Sequence, residues 1–159
     1  MRKTLIPSEK ELLADQKKFP QVDPTAVIIT LSLWEKGREV AKKIVKVLKE
    51  QYDLSEGRFC ILMALYRAPE GLHPSELADK GGVTRATITR LLQRMRHMGD
   101  IEITTAEEDE RQKIVRLTPK GRKLMDEVLP PHYERVAQLV KRLSPEEQKQ
   151  LITLLNKMG

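Results

Sequence analysis

Thr84-Arg-Ala-Thr-Ile-Thr-Arg-Leu-Leu-Gln-Arg-Met-Arg-His-Met98 is the stretch on which the rest of the chain depends. Ile88, Leu91, Leu92 and Met95 recur at i, i+3, i+4 and i+7, the spacing of one buried helical face. Arg85, Thr87, Thr89, Arg90, Gln93, Arg94 and Arg96 fall on the other side, four arginines with no acid among them. Thr84 stands where an N-cap is needed, and Gly99 follows the last apolar residue as a C′ glycine would. A merely solvated face normally mixes signs through Glu and Lys pairs four residues apart. Guanidinium forks, short hydroxyls and an amide suit phosphate oxygens and base edges. The stretch therefore reads as a DNA recognition helix.

Its neighbours agree. Pro74 can occupy the first position of a short helix that turns Leu77 and Ala78 inward, and Gly81-Gly82 supplies a tight turn into Thr84. Two short helices around a glycine turn, the second with a basic face, describe a helix-turn-helix. Beyond Gly99 the period changes to two: Ile101 and Ile103, then Val115 and Leu117, alternate with polar residues on either side of a polar interval from Thr104 to Gln112. That predicts an antiparallel hairpin directly behind the recognition helix, a wing able to reach an adjacent groove.

The flanks are helical. Ser8-Glu9-Lys10-Glu11 has the form of a capping box. Asp23-Pro24 opens a long pattern to about Gln51, with Ile28, Leu31, Trp34, Val40, Ile44, Val47 and Leu48 near one stripe. Ser55 caps a helix carrying Phe59, Leu62, Met63 and Tyr66, closed by Pro69 and Gly71. Thr118-Pro119 starts another, with Leu124, Met125, Val128 and Leu129 apolar. Pro130 and Pro131 are expected to break or kink it, because neither has a backbone donor. Helix is expected to resume through Val136, Leu139, Val140 and Leu143, and Ser144-Pro145-Glu146-Glu147 caps a last helix with Leu151, Ile152, Leu154 and Leu155. The expected fold is mainly α with a small β-hairpin wing. Residues 1–54 form N-terminal dimerisation helices, 55–118 a winged helix-turn-helix, and 119–159 C-terminal dimerisation helices. The terminal apolar faces exceed what the winged unit needs, so a second chain is expected to cover them.

Charged residues make up 33% of the 159 and aromatics 4%, so the core must rest on aliphatic residues and Met. The net charge of +6 permits a polyanionic partner. One cysteine excludes an internal disulfide framework, and no apolar run approaches the roughly 20 residues of a membrane span. No signal peptide is evident, and a cytoplasmic protein is expected. No catalytic triad, Cys-His pair, zinc pattern or phosphate loop is present, so neither an enzyme nor a cofactor is indicated. His73, His97 and His132 are too scattered to suggest a metal; His73 is a candidate cap for the third helix. Cys60, between Phe59 and Leu62, is expected to be a small buried hydrophobe.

In this order the motifs resemble the MarR family of bacterial regulators. They are Leu77-Ala78, Val83-Thr84, Thr89-Arg90-Leu91-Leu92, Gly99, Asp109-Glu110-Arg111 and Leu117-Thr118-Pro119-Lys120-Gly121. The resemblance runs from about Thr25 onward. It implies a homodimer with intertwined terminal helices, bound to a pseudo-palindromic double-stranded operator. Members act mostly as repressors, and many release DNA on binding a small phenolic or lipophilic compound. Thr84, Arg85, Thr87, Thr89, Arg90 and Arg94 are the expected DNA contacts on the helix, with Arg111 and Lys113 on the wing and Arg111 in the minor groove. Trp34, Phe59, Met63 and Tyr133 are the candidates for an effector pocket. The sequence departs from the family after Gly99: Asp100 replaces an apolar residue and Ile103 an arginine, leaving Lys113 or Arg116 to brace the wing acids. The reading is an effector-responsive repressor. The alternatives are an architectural DNA-binding protein without effector and a regulator that senses oxidation at Cys60.

Overall fold

The computed structural model describes residues 7–105 and 113–158. Among the described residues, seven helices and one hairpin follow in the order α1 (Glu9–Lys18), α2 (Pro24–Tyr52), α3 (Glu56–Tyr66), α4 (Pro74–Gly81), α5 (Arg85–His97), β1 (Ile101–Thr105), β2 (Lys113–Leu117), α6 (Pro119–Gln138) and α7 (Pro145–Leu155). The chain divides into two compact units, one ending at Lys46 and the other starting at Val47.

Local chemistry sets most helix starts. The hydroxyls of Ser8, Ser55, Thr84, Thr118 and Ser144 each accept the backbone N–H three residues on, and the Asp23 carboxylate does the same for Ala26. Each such cap is worth about 1 kcal/mol. His73 occupies the N-cap position of α4 but does not cap with its ring. Its N–H donates to Glu76 at 2.7 Å, while its Nδ1 lies 3.0 Å from the Lys113 carbonyl and must carry the donated proton. The ring thus ties α4 to β2.

In the N-terminal unit Leu12 is buried, and the Gln16 side chain donates to the Val22 carbonyl at 2.9 Å across the turn after α1. The apolar stripe of α2 is only partly covered: Ile28, Leu31 and Ile44 are half-buried, Trp34 is 53% exposed, and of this helix only Leu48, beyond this unit, is fully buried.

In the second unit α3 is the central element, packed on α4, α5, α6 and β2. Leu62, Leu65, Leu77, Ile88, Met95, Val115, Met125 and Val128 form its dry core. The hairpin is antiparallel, with Ile101 opposite Leu117 and Ile103 opposite Val115. Leu72 adds a bridge to Val115 through bonds of 3.0 and 2.9 Å, which extends the wing's base by a short third pairing. Gly71 makes this possible. Its φ is +92°, and a Cβ there would lie within 2.6–2.8 Å of Ile114, Val115 and Arg116.

Three expectations are corrected. Helix α6 runs through Pro130 and Pro131 without a break. The two missing donors are offset by burial of Val128, Leu129 and His132, with the His132 ring 4.7 Å from Phe59 of α3. The helix then stops at Gln138, and 139–143 form turns rather than further helix. Cys60 is exposed, not core: α3 turns Phe59, Ile61 and Leu62 inward and leaves Cys60 outside.

Burial, and secondarily the Arg135 charge, lowers the pKa of His132. The free imidazole titrates near about 6.5, so the folded state favours the neutral ring. Its contribution is complete above that pH and is lost as pH falls toward the folded value. Denaturant unfolding at successive pH values should show the parent losing more stability than His132→Gln on acidification below about 6.5. Equal losses would rule out this titration.

Candidate nucleic-acid interface

Ile88, Leu92 and Met95 anchor α5 in the core, and Leu91 is half-buried. Arg85, Thr87, Thr89, Arg90, Gln93, Arg94 and Arg96 are all exposed, as the sequence predicts. The turn before the helix rests on Gly82, which adopts the left-handed conformation (φ +59°) and so closes α4.

The hydroxyls on this face are already partly committed. Thr84 Oγ1 accepts the Thr87 N–H at 3.2 Å and lies 3.0 Å from the Thr87 hydroxyl. Thr89 donates its hydroxyl proton to the Arg85 carbonyl at 2.8 Å, so its oxygen is left to accept.

Four of the predicted contacts line two separate concavities, while Thr84, Thr87 and Arg90 are exposed outside both. Arg85 and Thr89 line a groove of about 550 Å³ together with Ile88, the start of α4 (His73, Pro74, Ser75) and Lys113 of the wing. Recognition helix and wing base thus meet across one concave surface. Arg94 instead lines a smaller cleft of about 100 Å³ with Lys49, Asp53, Ser55 and Arg58. The Asp53 carboxyl there is held below its usual range by the hydrogen bond and charge of Lys49, then by Arg58 and Arg94. Arg94 therefore belongs to the corner between α2 and α3. Arg111 and the acids Glu107, Glu108, Asp109 and Glu110 lie outside the described residues. Arg116 donates to Thr104 within the hairpin at 3.1 Å.

Asp100 is the residue whose role the sequence did not reveal. It is fully buried, and both its oxygens accept from Arg58, Nε at 2.7 Å and Nη2 at 2.9 Å. The two residues are 42 apart in sequence, and no local pattern links them.

Among the effector candidates, Phe59 is buried against His132, while Met63 and Tyr133 meet at the surface. The Tyr133 hydroxyl lies 3.8 Å from the Met63 sulfur and accepts from Arg67 at 3.2 Å. Trp34 lies in the N-terminal unit with the Arg38 guanidinium 5.1 Å from its ring. Partial burial and the charge of Glu56 raise the pKa of the Cys60 thiol, opposite to what an oxidation sensor needs. Among the described residues, no group of three or more His, Cys, Asp or Glu side chains is arranged to hold a metal ion. No described helix is long and apolar enough to cross a membrane.

A helix-turn-helix with an acid-free basic second helix and a hairpin behind it defines a winged helix-turn-helix DNA-binding unit. Residues 43–128 match the family described as transcriptional regulator SarA/Rot. The HTH-type transcriptional repressor YetL of Bacillus subtilis is 30% identical over 154 residues, covering 94% of this chain and 90% of that protein. The HTH-type transcriptional regulator PecS of Dickeya dadantii is also 30% identical, covering 86% and 82%. Staphylococcus aureus MepR in a DNA complex superposes with a TM-score of 0.71 at 28% identity, covering 81% of this chain and 94% of that one. Sco3205, a MarR family regulator from Streptomyces coelicolor solved with DNA, reaches 0.77 at 22% identity over 85% and 86%, a likeness of fold. The chain belongs to the MarR family of winged helix-turn-helix regulators, and it is a DNA-binding transcription regulator.

Proposed function

We propose that two copies of this chain bind a pseudo-palindromic operator as a repressor and release it when a small lipophilic or phenolic compound binds. The observation that carries the DNA reading is the exposed, acid-free face of α5 beside the groove it shares with Lys113. Dimerisation is supported by apolar residues left in water on the last helix and its extension: Leu151 (40%), Ile152 (59%), Leu154 (51%) and Met158 (47%). Exposed apolar surface concentrated on one helix marks a binding surface, and a two-fold partner is its commonest occupant. The effector would act near Met63 and Tyr133, where an aromatic side chain and a hydroxyl already bonded to Arg67 meet the solvent. Effector and operator are then coupled reciprocally, each weakening the other by the same factor.

Selection of bound sequences from random DNA should enrich an inverted repeat whose half-site centres are about one helical turn apart. Sedimentation at micromolar concentration should give a dimer for the parent and a lighter species for Ile152→Asp/Leu154→Asp. A monomeric parent, or the absence of any enriched sequence, rules out the proposal. Titrating phenolic acids into the selected complex tests effector release: unchanged affinity throughout would remove that part.

A further inference from the structure

We infer that the buried Arg58–Asp100 pair is a positioning element that sets the angle between recognition helix and wing for DNA, without touching DNA itself. The inference rests on the DNA-binding reading above. Asp100 sits where α5 gives way to β1, and four elements converge on it. Its backbone N–H donates to the Met95 carbonyl of α5 at 3.0 Å. Its carbonyl accepts the Thr118 N–H at 3.0 Å and the Thr118 hydroxyl at 3.1 Å, at the cap of α6. Its carboxylate takes the two-pronged Arg58 fork from the first turn of α3. The third nitrogen of that guanidinium points to the Asp53 carbonyl at 3.4 Å, at the end of α2.

Neither side chain is placed to reach DNA. Asp100 is 0% exposed and the Arg58 side chain 11%. An apolar residue at this position would fill space without direction. A bidentate guanidinium–carboxylate pair fixes both distance and plane. It does so at little net gain in stability, because desolvating two charges offsets most of their attraction, and apolar replacement of such a pair is often neutral or stabilising. What the pair adds is therefore geometric, at the corner that joins the reading helix, the wing and the first turn of α6.

That separation of stability from geometry makes the proposal testable. The experiment uses the full chain and an operator selected from random DNA by the parent. Melting temperature, operator affinity and the dependence of affinity on salt are measured for the parent, Arg58→Lys and the double variant Arg58→Met/Asp100→Leu. The double variant should melt close to the parent yet bind the operator about tenfold more weakly. Its salt slope should be unchanged, because no phosphate contact is lost. Arg58→Lys keeps the charge but not the fork, and should lose affinity by a few-fold; it carries the test if the double variant does not fold. Parent-like operator affinity in the folded variants overturns the inference, the pair then being only structural. A flattened salt slope also overturns it, because Arg58 would then be a phosphate contact. A parent that fails to discriminate operator from random DNA removes the DNA reading and this inference with it. A discriminating parent with unaffected variants removes the inference alone.

Discussion

Gly121→Ala should lower the melting temperature by roughly 6–12 °C, from a loss of about 3 kcal/mol. The backbone at Gly121 is ordinary helix, so the effect is steric rather than conformational. A Cβ there would lie 2.1 Å from the Asp100 carbonyl oxygen and 3.0 Å from its carbon, with Leu117 at 3.2 Å. The obstruction is backbone and cannot rotate aside. Relief requires the first turn of α6 to withdraw. That strains the Thr118 hydrogen bonds to Asp100 and the cap from Gly121 N–H to the Thr118 hydroxyl at 3.1 Å. Losing a cap and a buried backbone pairing costs about 1–3 kcal/mol each. Gly37→Ala is the contrast. Gly37 is exposed in the middle of α2 with nothing within 4 Å, and alanine there should stabilise by up to about 1 kcal/mol. Thermal unfolding of both variants checks the pair of expectations. A Gly121→Ala melting point within about 2 °C of the parent would show that α6 and the wing base are not in backbone contact.

The features the sequence reveals are those written in neighbouring residues. Ser55, Thr84, Thr118 and Ser144 cap the helices they precede by accepting the N–H three residues on, and Ile101, Ile103, Val115 and Leu117 alternate within single strands. These need no knowledge of the rest of the chain. The misses are long-range. Asp100 reads as a departure from an apolar position until Arg58, 42 residues earlier, is seen to meet it. Pro130 and Pro131 read as a break or a kink because the rule is local; the break does not occur, and with Val128, Leu129 and His132 buried the helix continues past them. Cys60 reads as core because its neighbours are apolar, yet the phase of α3 turns it out. Leu72 pairs with the wing through its backbone alone, which leaves no side-chain signal. At the candidate site the basic face of α5 was legible as a set, but its division was not. Periodicity places Arg94 beside Arg90, and only the cleft that Arg94 shares with Lys49, Asp53 and Arg58 distinguishes it.

That division predicts different outcomes for residues of one type on one helix. We expect Arg90→Ala to cost about 1–3 kcal/mol of operator affinity per protomer, and about twice that in a dimer that uses both helices. Preference should relax at one base pair in each half-site, because a guanidinium fork reads guanine in the major groove. Arg85 borders the groove that leads to Lys113, so Arg85→Ala should weaken all sequences alike and flatten the salt dependence by about one counterion per lost contact. Thr89 has already donated its proton to the Arg85 carbonyl. Its oxygen can only accept, from an adenine or cytosine amino group, and its methyl suits thymine. Thr89→Val should therefore shift base preference more than it lowers affinity. Arg94→Ala should leave operator affinity within about 0.5 kcal/mol of the parent, because Arg94 faces the Asp53 corner. Arg111→Ala should weaken binding most where the flanks are A·T-rich, if a narrow minor groove is what it reads. Affinity at several salt concentrations, on selected and random DNA, distinguishes these cases. Equal losses for Arg85, Arg90 and Arg94 would mean that the helix meets DNA along its whole length and that the division is wrong. Intact affinity in both Arg90→Ala and Arg111→Ala would mean that neither helix nor wing reads the operator.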